Sequence, residues 1–469
     1  MDKKILMIIM SGAMALASCN NFIDLDPVSQ QSADSFYKDT LEIDQALTAA
    51  YNILQSTELY GSDIGYASFM EVPSDNTWNE NTTMEGGAYA SFDNFIVDPT
   101  NSKLENTWIA SFDGVQRCNI VVSRLLNGSL NESFTARKLG EAYFLRALIY
   151  FNMVRMWGGV PLITEEITNV NEAFNHERAS VDDIYTQIIK DLEYASTTLP
   201  LSYNATNIGR ATRGAAQTLL AKVYLTRNEW QQALSMLNLV ITGGQYELLE
   251  NFADVFSVSN KNNKESIFEV QFDKVKEGQG YMGNDPLIAG SDINNLPSDN
   301  LLKLFDENPD DRRDASVIDL GIQGWRLYKW HDTKGTNNGL GFNIMVLRYA
   351  DVLLMASEAM NELGYGSEDA LEYLNKVRRR SHAAEYTYTE LSNQDSFREA
   401  IAKERRLELA FENHRWFDLL RTGKAIEVMN SCEGGAIFAI NVQPHQLLFP
   451  IPQNQIDASG GKLTQNEGY

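Results

Sequence analysis

Acidic and basic side chains are densest between Ser396 and Gly423, where carboxylates could form a catalytic site. Glu404 falls within an apolar helical stripe of this segment, and further carboxylates follow it among arginines. A glycosidase site needs one carboxylic acid with a raised pKa and a second carboxylate at a fixed separation. Neighbouring arginines instead lower carboxyl pKa values, so we favour a structural ion network over catalysis.

A buried carboxylate destabilises the fold unless a cation pairs with it. We therefore expect an arginine such as Arg348, Arg406 or Arg415 to meet Glu404. A second helix carries charges on one face in the same way. The predicted members of the structural ion network are Arg348, Asp351, Glu358, Glu404, Arg406, Arg415 and Asp418.

Two long segments, 58–100 and 273–345, have little helical period and are rich in Asn, Asp, Gly and aromatic residues. A flat aromatic ring can stack on the apolar face of a pyranose while amide, carboxylate and guanidinium groups bond to its hydroxyls. Trp78 is the strongest single candidate for such a contact. The predicted ligand-binding residues are Asp75, Asn76 and Trp78 in the first segment, and Tyr281, Asn284, Trp325 and Arg326 in the second.

Metal and phosphate chemistry has little support in the sequence. The five histidines are scattered, and no HExxH motif, paired CxxC motif or complete phosphate loop occurs. Asp306, Asn308, Asp310 and Asp311 lack the loop glycine and closing glutamate of an EF-hand, so we interpret them as a solvated turn. No cofactor is predicted; calcium remains open.

The sequence predicts pairs of helices, which must position the two irregular segments 58–100 and 273–345. Apolar residues at helical spacing, a capping Ser180 and a terminating Gly158–Gly159–Pro161 predict an antiparallel pair. Further pairs are predicted over Ala211–Ile241, Arg348–Arg380 and Ser396–Met429. A five-position spacing also recurs: Ala233, Leu234, Leu237, Asn238 and Val240 match Ala370, Leu371, Leu374, Asn375 and Val377.

This repeat predicts a mostly α fold of stacked, tetratricopeptide-like helical hairpins, an α-α superhelix, because a single hairpin cannot bury its apolar face alone. Long irregular loops and a few short strands, such as Glu265–Phe272, complete it. Trp108, Trp157, Trp230 and Trp416 fall in helical patterns and are expected in the core; Trp330 is open.

The N-terminus predicts export and lipidation. Lys3, Lys4 and an apolar run lead to the sequence LASC, so Cys19 is expected to carry acyl chains after cleavage. The expected organisation is a signal peptide over 1–18, a lipidated tether over 19–35 and one folded domain over 36–469. That domain divides into an N-terminal part, about 36–245, and a C-terminal part, about 265–469.

The formal net charge of −24 excludes a nucleic-acid-binding surface of the usual basic kind. Attachment to a membrane would then depend on the acyl chains of Cys19. Whether Cys118 and Cys432 pair is open, because spacing alone cannot place two thiols within bonding distance.

Several blocks of the sequence resemble the SusD/RagB family in order and spacing. The resemblance spans essentially the whole mature chain, and a further block over Leu296–Ile318 puts Arg312 or Arg313 in the family's arginine position. Besides the Cys19 lipobox, the blocks are Phe144–Thr164, Arg210–Leu225, Leu347–Ala359, Glu404–Gly423, Leu448–Asp457 and Gln465–Tyr469.

The resemblance implies a non-enzymatic outer-membrane lipoprotein that captures glycans at the cell surface. It also implies a partner, a SusC-like TonB-dependent transporter that moves the ligand inward. Asp24 and Asp26 then resemble an acidic export signal, although a merely solvated tether explains them equally well. An exported glycan-degrading enzyme and a helical-repeat scaffold that binds only protein are the alternatives. A peptide ligand also remains open.

Overall fold

The computed structural model of the chain describes residues 37–469, apart from 64, 80–82, 170–171, 173, 284–294, 333–334, 337–338 and 433–440. The predicted lipidation site Cys19, the acidic pair Asp24 and Asp26, and the candidate ligand residue Asn284 lie outside the described residues. Tyr37 is therefore the first residue with a described position.

Polar caps and one left-handed glycine set the ends of the first long hairpin. Asn131 caps the helix Glu132–Trp157, and Gly158 ends it with a φ of 72°. Ser180 accepts a hydrogen bond of 3.1 Å from the Asp183 amide and starts the next helix, as the sequence predicts. These contacts satisfy amides that a helix end otherwise leaves without partners.

The described residues form helices joined by short strands and long irregular segments. The helices are α1 Thr40–Asn52, α2 Ala67–Met70, α3 Ala90–Asp93, α4 Ser102–Asn127, α5 Glu132–Trp157, α6 Val181–Thr198, α7 Arg213–Thr226, α8 Trp230–Thr242, α9 Asp299–Glu307, α10 Asp311–Ser316, α11 Tyr349–Leu363, α12 Glu368–Arg380, α13 Gln394–Leu409, α14 Arg415–Arg421, α15 Ala425–Ser431 and α16 Gln453–Ala458. The strands are β1 Thr77–Trp78, β2 Ser266–Val270, β3 Leu296–Pro297, β4 Val317–Asp319, β5 Trp325–Leu327 and β6 Ile344–Arg348.

The long helices pack as a continuous stack. α1 contacts α4, α4 contacts α5, and α5 contacts α6; α7 then contacts α6 and α8, and α8 contacts α11. α11 in turn packs against α12 and α13. Each helix thus buries its apolar face against its neighbours, which confirms the predicted mostly α architecture of stacked hairpins.

The recurring spacing occupies equivalent places in this stack. Ala233 and Leu237 are buried where α8 packs on α7, and Ala370 and Leu374 are buried where α12 packs on α11. Small side chains at these positions allow close helix approach, and the larger ones fill the space between. The repeated pattern therefore marks the second helix of two successive hairpins.

The predicted fourth pair over Ser396–Met429 does not form as one hairpin. α13 packs on α11 and α12, whereas α14 packs on α2 and α15. The chain turns sharply between α13 and α14 because Phe411 and Asn413 adopt left-handed backbone angles, with φ of 65° and 64°. This turn directs α14 towards the segment that carries Trp78.

In the described part of the chain, three two-stranded antiparallel sheets hold the irregular segments against the stack. β1 pairs with β3, β2 with β6, and β4 with β5. β2 and β6 contact α7, and their side chains join the core. β3 also contacts β5, so the first and last of these small sheets lie side by side.

The core is continuous through the stack and includes most of the tryptophans. Trp108, Trp157 and Trp416 are buried, Trp230 packs against the core, and Trp330, left open by the sequence, is also buried. In the described part of the chain no helix combines the length and the apolar character that a membrane span requires. Cys118 and Cys432 are both free thiols.

Candidate functional site

Trp78 and Trp325 lie on two strands, β1 and β5, that both contact β3, although they come from different irregular segments. Trp78 is paired with Leu296 across β1 and β3, and β3 also contacts β5, which begins at Trp325. Both indoles are partly exposed. We call the area formed by Trp78, Leu296, Trp325 and Arg326 the tryptophan surface.

A second arginine, Arg313, contacts the tryptophan surface at Trp325. The guanidinium carbon of Arg313 is 4.9 Å from the ring centre of Trp325, close enough for a cation–π contact that restrains the indole. Asp306 and Asp314 hold the Arg313 guanidinium at 2.7 and 3.0 Å. The Trp325 ring is therefore held by Arg313 and by its packing against the hydrophobic core.

Arg326 offers hydrogen-bond donors beside that ring. One of its terminal nitrogens donates to the Trp325 carbonyl at 3.0 Å. Among the described residues its other donors have no partner, and the side chain is partly exposed. A partly exposed indole next to free guanidinium donors matches the chemistry that binds a pyranose ring and its hydroxyls.

Asp75 and Asn76, two of the predicted ligand residues, are buried beneath the tryptophan surface. Arg415 donates two hydrogen bonds to the Asp75 carboxylate, at 2.7 and 2.9 Å, and Arg406 donates to Asn76 Oδ1 at 2.8 Å. Burial alone would raise the pKa of Asp75, but Arg415 and Arg406 lower it below its usual value. The structure thus differs from the prediction: these side chains fix the loop that carries Trp78.

Ser298 joins this loop to the second irregular segment. Its hydroxyl donates to the Asp75 carbonyl at 2.6 Å, and its amide donates to the Asn76 carbonyl at 2.9 Å. The same hydroxyl accepts from the Leu301 amide and caps α9. One serine therefore couples the start of α9 to the strand pair under Trp78.

Two buried carboxyl groups with raised pKa values complete the support of the Trp78 loop. Glu71 accepts hydrogen bonds from the Asn76 side chain and from the Phe411 amide, both at 3.0 Å; Asp93 accepts from the Asn79 amide, also at 3.0 Å. Burial raises the pKa of each group to about 7. Both side chains point to backbone or amide groups inside the protein.

Tyr281 also departs from the prediction. Its side chain is only 7% exposed and packs against Phe272 and Phe342. Its backbone forms a bridge with Leu340, and the residue lines a cavity of about 60 Å³ together with Trp330. Tyr281 is therefore a core residue at the base of its segment, because the segment folds its aromatic rings inward.

The predicted ion-network residues fall into buried clusters of larger size. We call the first the ionic core; Arg348 is at its centre and binds Glu265 at 2.8 Å, Glu408 at 2.7 Å and Glu412 at 2.6 Å. Burial alone would raise the pKa of Glu408, but Arg380 and Arg348 lower it well below its usual value. The other members of the ionic core are Asp310, Arg312, Lys329, Arg378, Arg380 and Glu404.

The partner expected for Glu404 is different in the structure. Its carboxylate meets Arg312 and Arg378, each at 2.5 Å, and none of the three arginines expected from the sequence. Arg312 lies at 0% exposure beside Asp310, whereas Arg313 is at the surface under Trp325. The two adjacent arginines thus have separate roles, because Arg312 lies on the buried face of α10 and Arg313 on its exposed face.

A second cluster forms around Asp351 and Asp418. Asp351 binds Lys222 and Arg405, both at 2.7 Å, and Asp418 bridges Arg405 and Arg421 at 2.9 and 2.8 Å. Arg421 also binds Glu358. Burial alone would raise the pKa of Asp351, but Lys222 and Arg405 hold it well below its usual value.

The turn between α13 and α14 connects these ions to the Trp78 loop. Lys329 donates to the Ala410 carbonyl at 2.8 Å, and Trp330 donates to the Phe411 carbonyl at the same distance. Glu71 accepts from the Asn413 amide at 2.9 Å. Left-handed backbone angles are costly for residues with side chains, so these contacts hold the turn in a conformation that it would otherwise leave.

The arrangement offers little to acid–base catalysis within the described residues. The carboxylates of the ionic core and of the cluster around Asp351 and Asp418 are bonded to cations, which lower the pKa of Glu408, Glu412, Asp351 and Asp418. The described carboxyls with raised pKa, Glu71, Asp93, Asp191 and Glu269, are at most 4% exposed. A general acid has to reach the substrate oxygen that it protonates.

The acidic turn at 306–311 is committed to other contacts. Asp306 binds Arg313, Asp310 binds Arg312 and caps α10, and Asp311 bonds to His382. The described residues contain no group of three or more His, Cys, Asp or Glu side chains placed to hold a metal. Asp310, with a side chain 1% exposed, is therefore not part of the solvated turn expected from the sequence.

Sequence reasoning missed several residues that build this site. Ser298 has a readable signal, because a serine directly before an acidic residue and an apolar run is a typical helix cap. Glu71 and Lys329 have no such signal; each is a single charge in an irregular segment. Their partners come from distant parts of the chain, so only the folded structure identifies them.

Comparison with known proteins finds two matching family models and similar proteins that span almost the whole chain. The family model described as "SusD family" matches residues 308–469, and the model described as "Starch-binding associating with outer membrane" matches residues 21–225. A SusD-like protein of Formosa agariphila is 29% identical, over 96% of this chain and 97% of the relative.

Solved structures share the fold. A structure described as a laminarin binding SusD-like protein is 29% identical, with a TM-score of 0.78 over 92% of this chain and 100% of the other. A SusD superfamily protein from Bacteroides vulgatus reaches a TM-score of 0.80 at 23% identity, covering 92% of this chain and all of the other. The second likeness shows the fold alone.

Proposed function

The chain belongs to the SusD family, and we propose on that premise that it is a non-catalytic lipoprotein that captures glycans at the outer membrane. The observation that carries the proposal is the tryptophan surface, where two partly exposed indoles from separate segments lie on strands that both contact β3, with the guanidinium of Arg326 beside one of them. A relative 29% identical, described as laminarin binding, supports a glycan as the ligand.

Binding relies on a preformed surface. The Trp78 loop is held from below by Asp75 and Arg415, and Trp325 is held by Arg313. A surface that is already ordered loses little conformational entropy when a ligand arrives. Each indole would stack on one sugar face, and Arg326 would bond to the hydroxyls at its edge.

Delivery to a transporter is the second half of the proposal. Acyl chains on Cys19 would hold the protein at the outer membrane, and a SusC-like TonB-dependent transporter would receive the captured glycan. Tethering both proteins to one membrane raises the effective concentration of ligand at the channel. Cys19→Ala should release the protein from the membrane fraction, and retention of that variant in the membrane would contradict the anchor.

Affinity measurements on the chain from residue 20 onward test glycan binding directly. Titration with laminarin by calorimetry is the first measurement, followed by a glycan array. Trp78→Ala and Trp325→Ala should each weaken binding of the retained glycan at least about tenfold, since a stacked aromatic ring contributes about 1 kcal/mol beyond its buried area. Phe174→Ala removes an aromatic ring that is 40% exposed elsewhere and should leave affinity unchanged.

Two outcomes would overturn the proposal. Failure of the wild-type chain to retain any glycan would remove its basis, and so would equal losses in the Phe174→Ala control. Release of shortened oligosaccharides during the titration would favour an exported glycan-degrading enzyme instead. Retention of protein partners alone would favour the helical-repeat scaffold.

A further inference from the structure

Two pockets on the N-terminal part of the stack meet at one tyrosine. The first, of about 320 Å³, lies beside the starts of α1 and α5 and is lined by Leu41, Phe134 and Tyr203. The second, of about 470 Å³, is lined by Tyr203 and Tyr246 between the 201–212 and 245–269 segments. We call the joined pockets the Tyr203 trough.

The walls of the Tyr203 trough combine aromatic rings with hydrogen-bonding groups. Phe134, Tyr203 and Tyr246 are all partly exposed and follow one another along the trough. On its rim, Leu201 and Ile208 are 51% and 55% exposed. Successive partly exposed rings in an open groove suit an extended ligand with repeated apolar faces.

Charge along the trough is uneven. Arg210 is bound to Glu141 and Asp44, each at 2.9 Å, so it is neutralised within the protein. Arg137 and Lys264 are exposed and line the two pockets, and neither has a carboxylate partner within 4.0 Å among the described residues. Arg137 lies 5.8 Å from the ring centre of Phe134, a contact that leaves its charge without a carboxylate. In a chain of net charge −24, two cations that lack a carboxylate partner among the described residues favour an anionic ligand in this groove.

A neutral donor and acceptor lies in the same wall as Lys264. The Gln245 side chain lines the second pocket and has no hydrogen-bond partner among the described residues. A side-chain amide can donate to and accept from a sugar hydroxyl. Rings, an amide and isolated cations in one groove are the groups that a charged sugar polymer requires.

The geometry points to a second glycan site in the Tyr203 trough, which takes an extended oligosaccharide carrying carboxylate or sulfate groups. This inference rests on the proposed glycan-binding function and adds to it a site and a ligand class. Arg137 and Lys264 bind the acidic groups, while Tyr203, shared by both pockets, stacks on a central sugar. The tryptophan surface and the trough would then engage different parts of one polysaccharide or different glycans.

An array of neutral, carboxylated and sulfated oligosaccharides tests the inference, with poly-glutamate as a non-sugar polyanion. Four chains from residue 20 onward are compared: wild type, Trp78→Ala/Trp325→Ala, and that variant combined with either Tyr203→Ala or Arg137→Ala/Lys264→Ala. A matched control adds Lys190→Ala/Lys276→Ala to the tryptophan variant, because both lysines are exposed and the charge change is the same. Thermal unfolding checks that each variant is folded.

Acidic oligosaccharides should remain bound to the tryptophan variant, and binding should fall at least tenfold when Tyr203 or the Arg137 and Lys264 pair is also changed. The Lys190 and Lys276 control should retain it. Loss of all binding in the tryptophan variant would overturn the second site while leaving the proposed function intact. Residual binding that the trough variants leave unchanged, or that poly-glutamate matches, would also overturn it. A wild-type chain that binds no glycan would overturn both.

Discussion

The ionic core and the tryptophan surface are both rich in polar side chains, yet the structure uses them in opposite ways. In the ionic core, Arg348 contacts three carboxylates and is 1% exposed. On the tryptophan surface, Arg326 is partly exposed and, among the residues that the structure describes, bonds only to a neighbouring carbonyl. Groups that satisfy each other inside the protein stabilise its shape, and groups left without partners remain available to a ligand.

The difference teaches that the density of charge in a sequence does not locate a binding site. The segment with the most charges, Ser396–Gly423, forms a buried frame, and the tryptophan surface is built from the two irregular segments 58–100 and 273–345. The frame still matters for the surface, because Arg415 and Asp75 connect the two. Variants of the buried frame and variants of the tryptophan surface should therefore distinguish effects on the free energy of unfolding from effects on glycan affinity.

Arg348→Met should have the largest effect on stability. It leaves Glu265, Glu408 and Glu412 buried with fewer cations, and removal of one partner from such a cluster costs about 3–5 kcal/mol. Urea unfolding should show this loss or no cooperative folding at all. Arg379→Met, a surface pair whose arginine is 50% exposed, should cost under about 1 kcal/mol, and similar losses for both would contradict a special role of the core.

Arg415→Met should affect stability and binding together. Asp75 keeps only Arg406, and loss of hydrogen bonds to a buried charge costs about 2 kcal/mol. Because Asp75 fixes the loop that carries Trp78, glycan affinity measured by calorimetry should also fall. Arg124→Met, at a partly exposed pair with Glu166, should leave affinity unchanged. Unaltered glycan affinity in Arg415→Met would show that the tryptophan surface does not depend on the Arg415–Asp75 contact.

Asp93→Asn should change how stability depends on pH. Burial raises the pKa of Asp93 to about 7, so between about pH 4 and 7 the folded chain keeps a proton that the unfolded chain has released. Stability from this group therefore falls as pH rises, and the variant lacks that fall. As the pH rises through this range, the free energy of unfolding of the wild type should fall relative to that of Asp93→Asn by up to about 1.4 kcal/mol per pH unit.

The comparison with the variant is needed because another group acts in the opposite direction. Burial lowers the pKa of His414 to about 3. The contribution of this side chain to the stability of the fold therefore decreases as the pH falls below the usual pKa of histidine. His414 is unchanged in both chains and its contribution cancels. Parallel stability curves for Asp93→Asn and wild type from pH 5 to 8, measured by urea unfolding, would contradict the assignment.

Arg313→Met should have the smallest effect. The Arg313 contacts with Asp306 and Asp314 are exposed, so the loss of stability should stay under about 1 kcal/mol. The Trp325 ring loses the cation beneath it, and its fluorescence and glycan affinity should change modestly. A large loss of stability would indicate that Arg313, like Arg312, supports the buried ion cluster, and would contradict this prediction.

Much of the helical scaffold could be predicted from the sequence. Ser180 and Gly158 mark helix ends by local chemistry, and the spacing from Ala233 to Val240 shows which face is buried. The fourth hairpin could not be predicted in the same way. Its direction depends on the left-handed turn at Phe411, which contacts from Glu71 and Trp330 maintain.

The candidate site was less accessible to sequence reasoning. Trp78 and Trp325 are residue types suited to sugars, and in the structure both of their strands contact β3. Asp75 and Tyr281 are equally suitable by type, but one is bonded to Arg415 and the other is packed in the core. Residue type does not reveal whether a partner within the protein already occupies a side chain.

The sequence by itself determined the helical stack, the family likeness and the existence of buried ion pairs. These depend on local periodicity, on ordered blocks and on the rule that a charge in an apolar stripe must be compensated. Only the tertiary structure decided which cation meets which carboxylate and which aromatic rings reach the surface. Those outcomes depend on contacts between residues far apart in the chain, because a side chain stays exposed only where no other segment covers it.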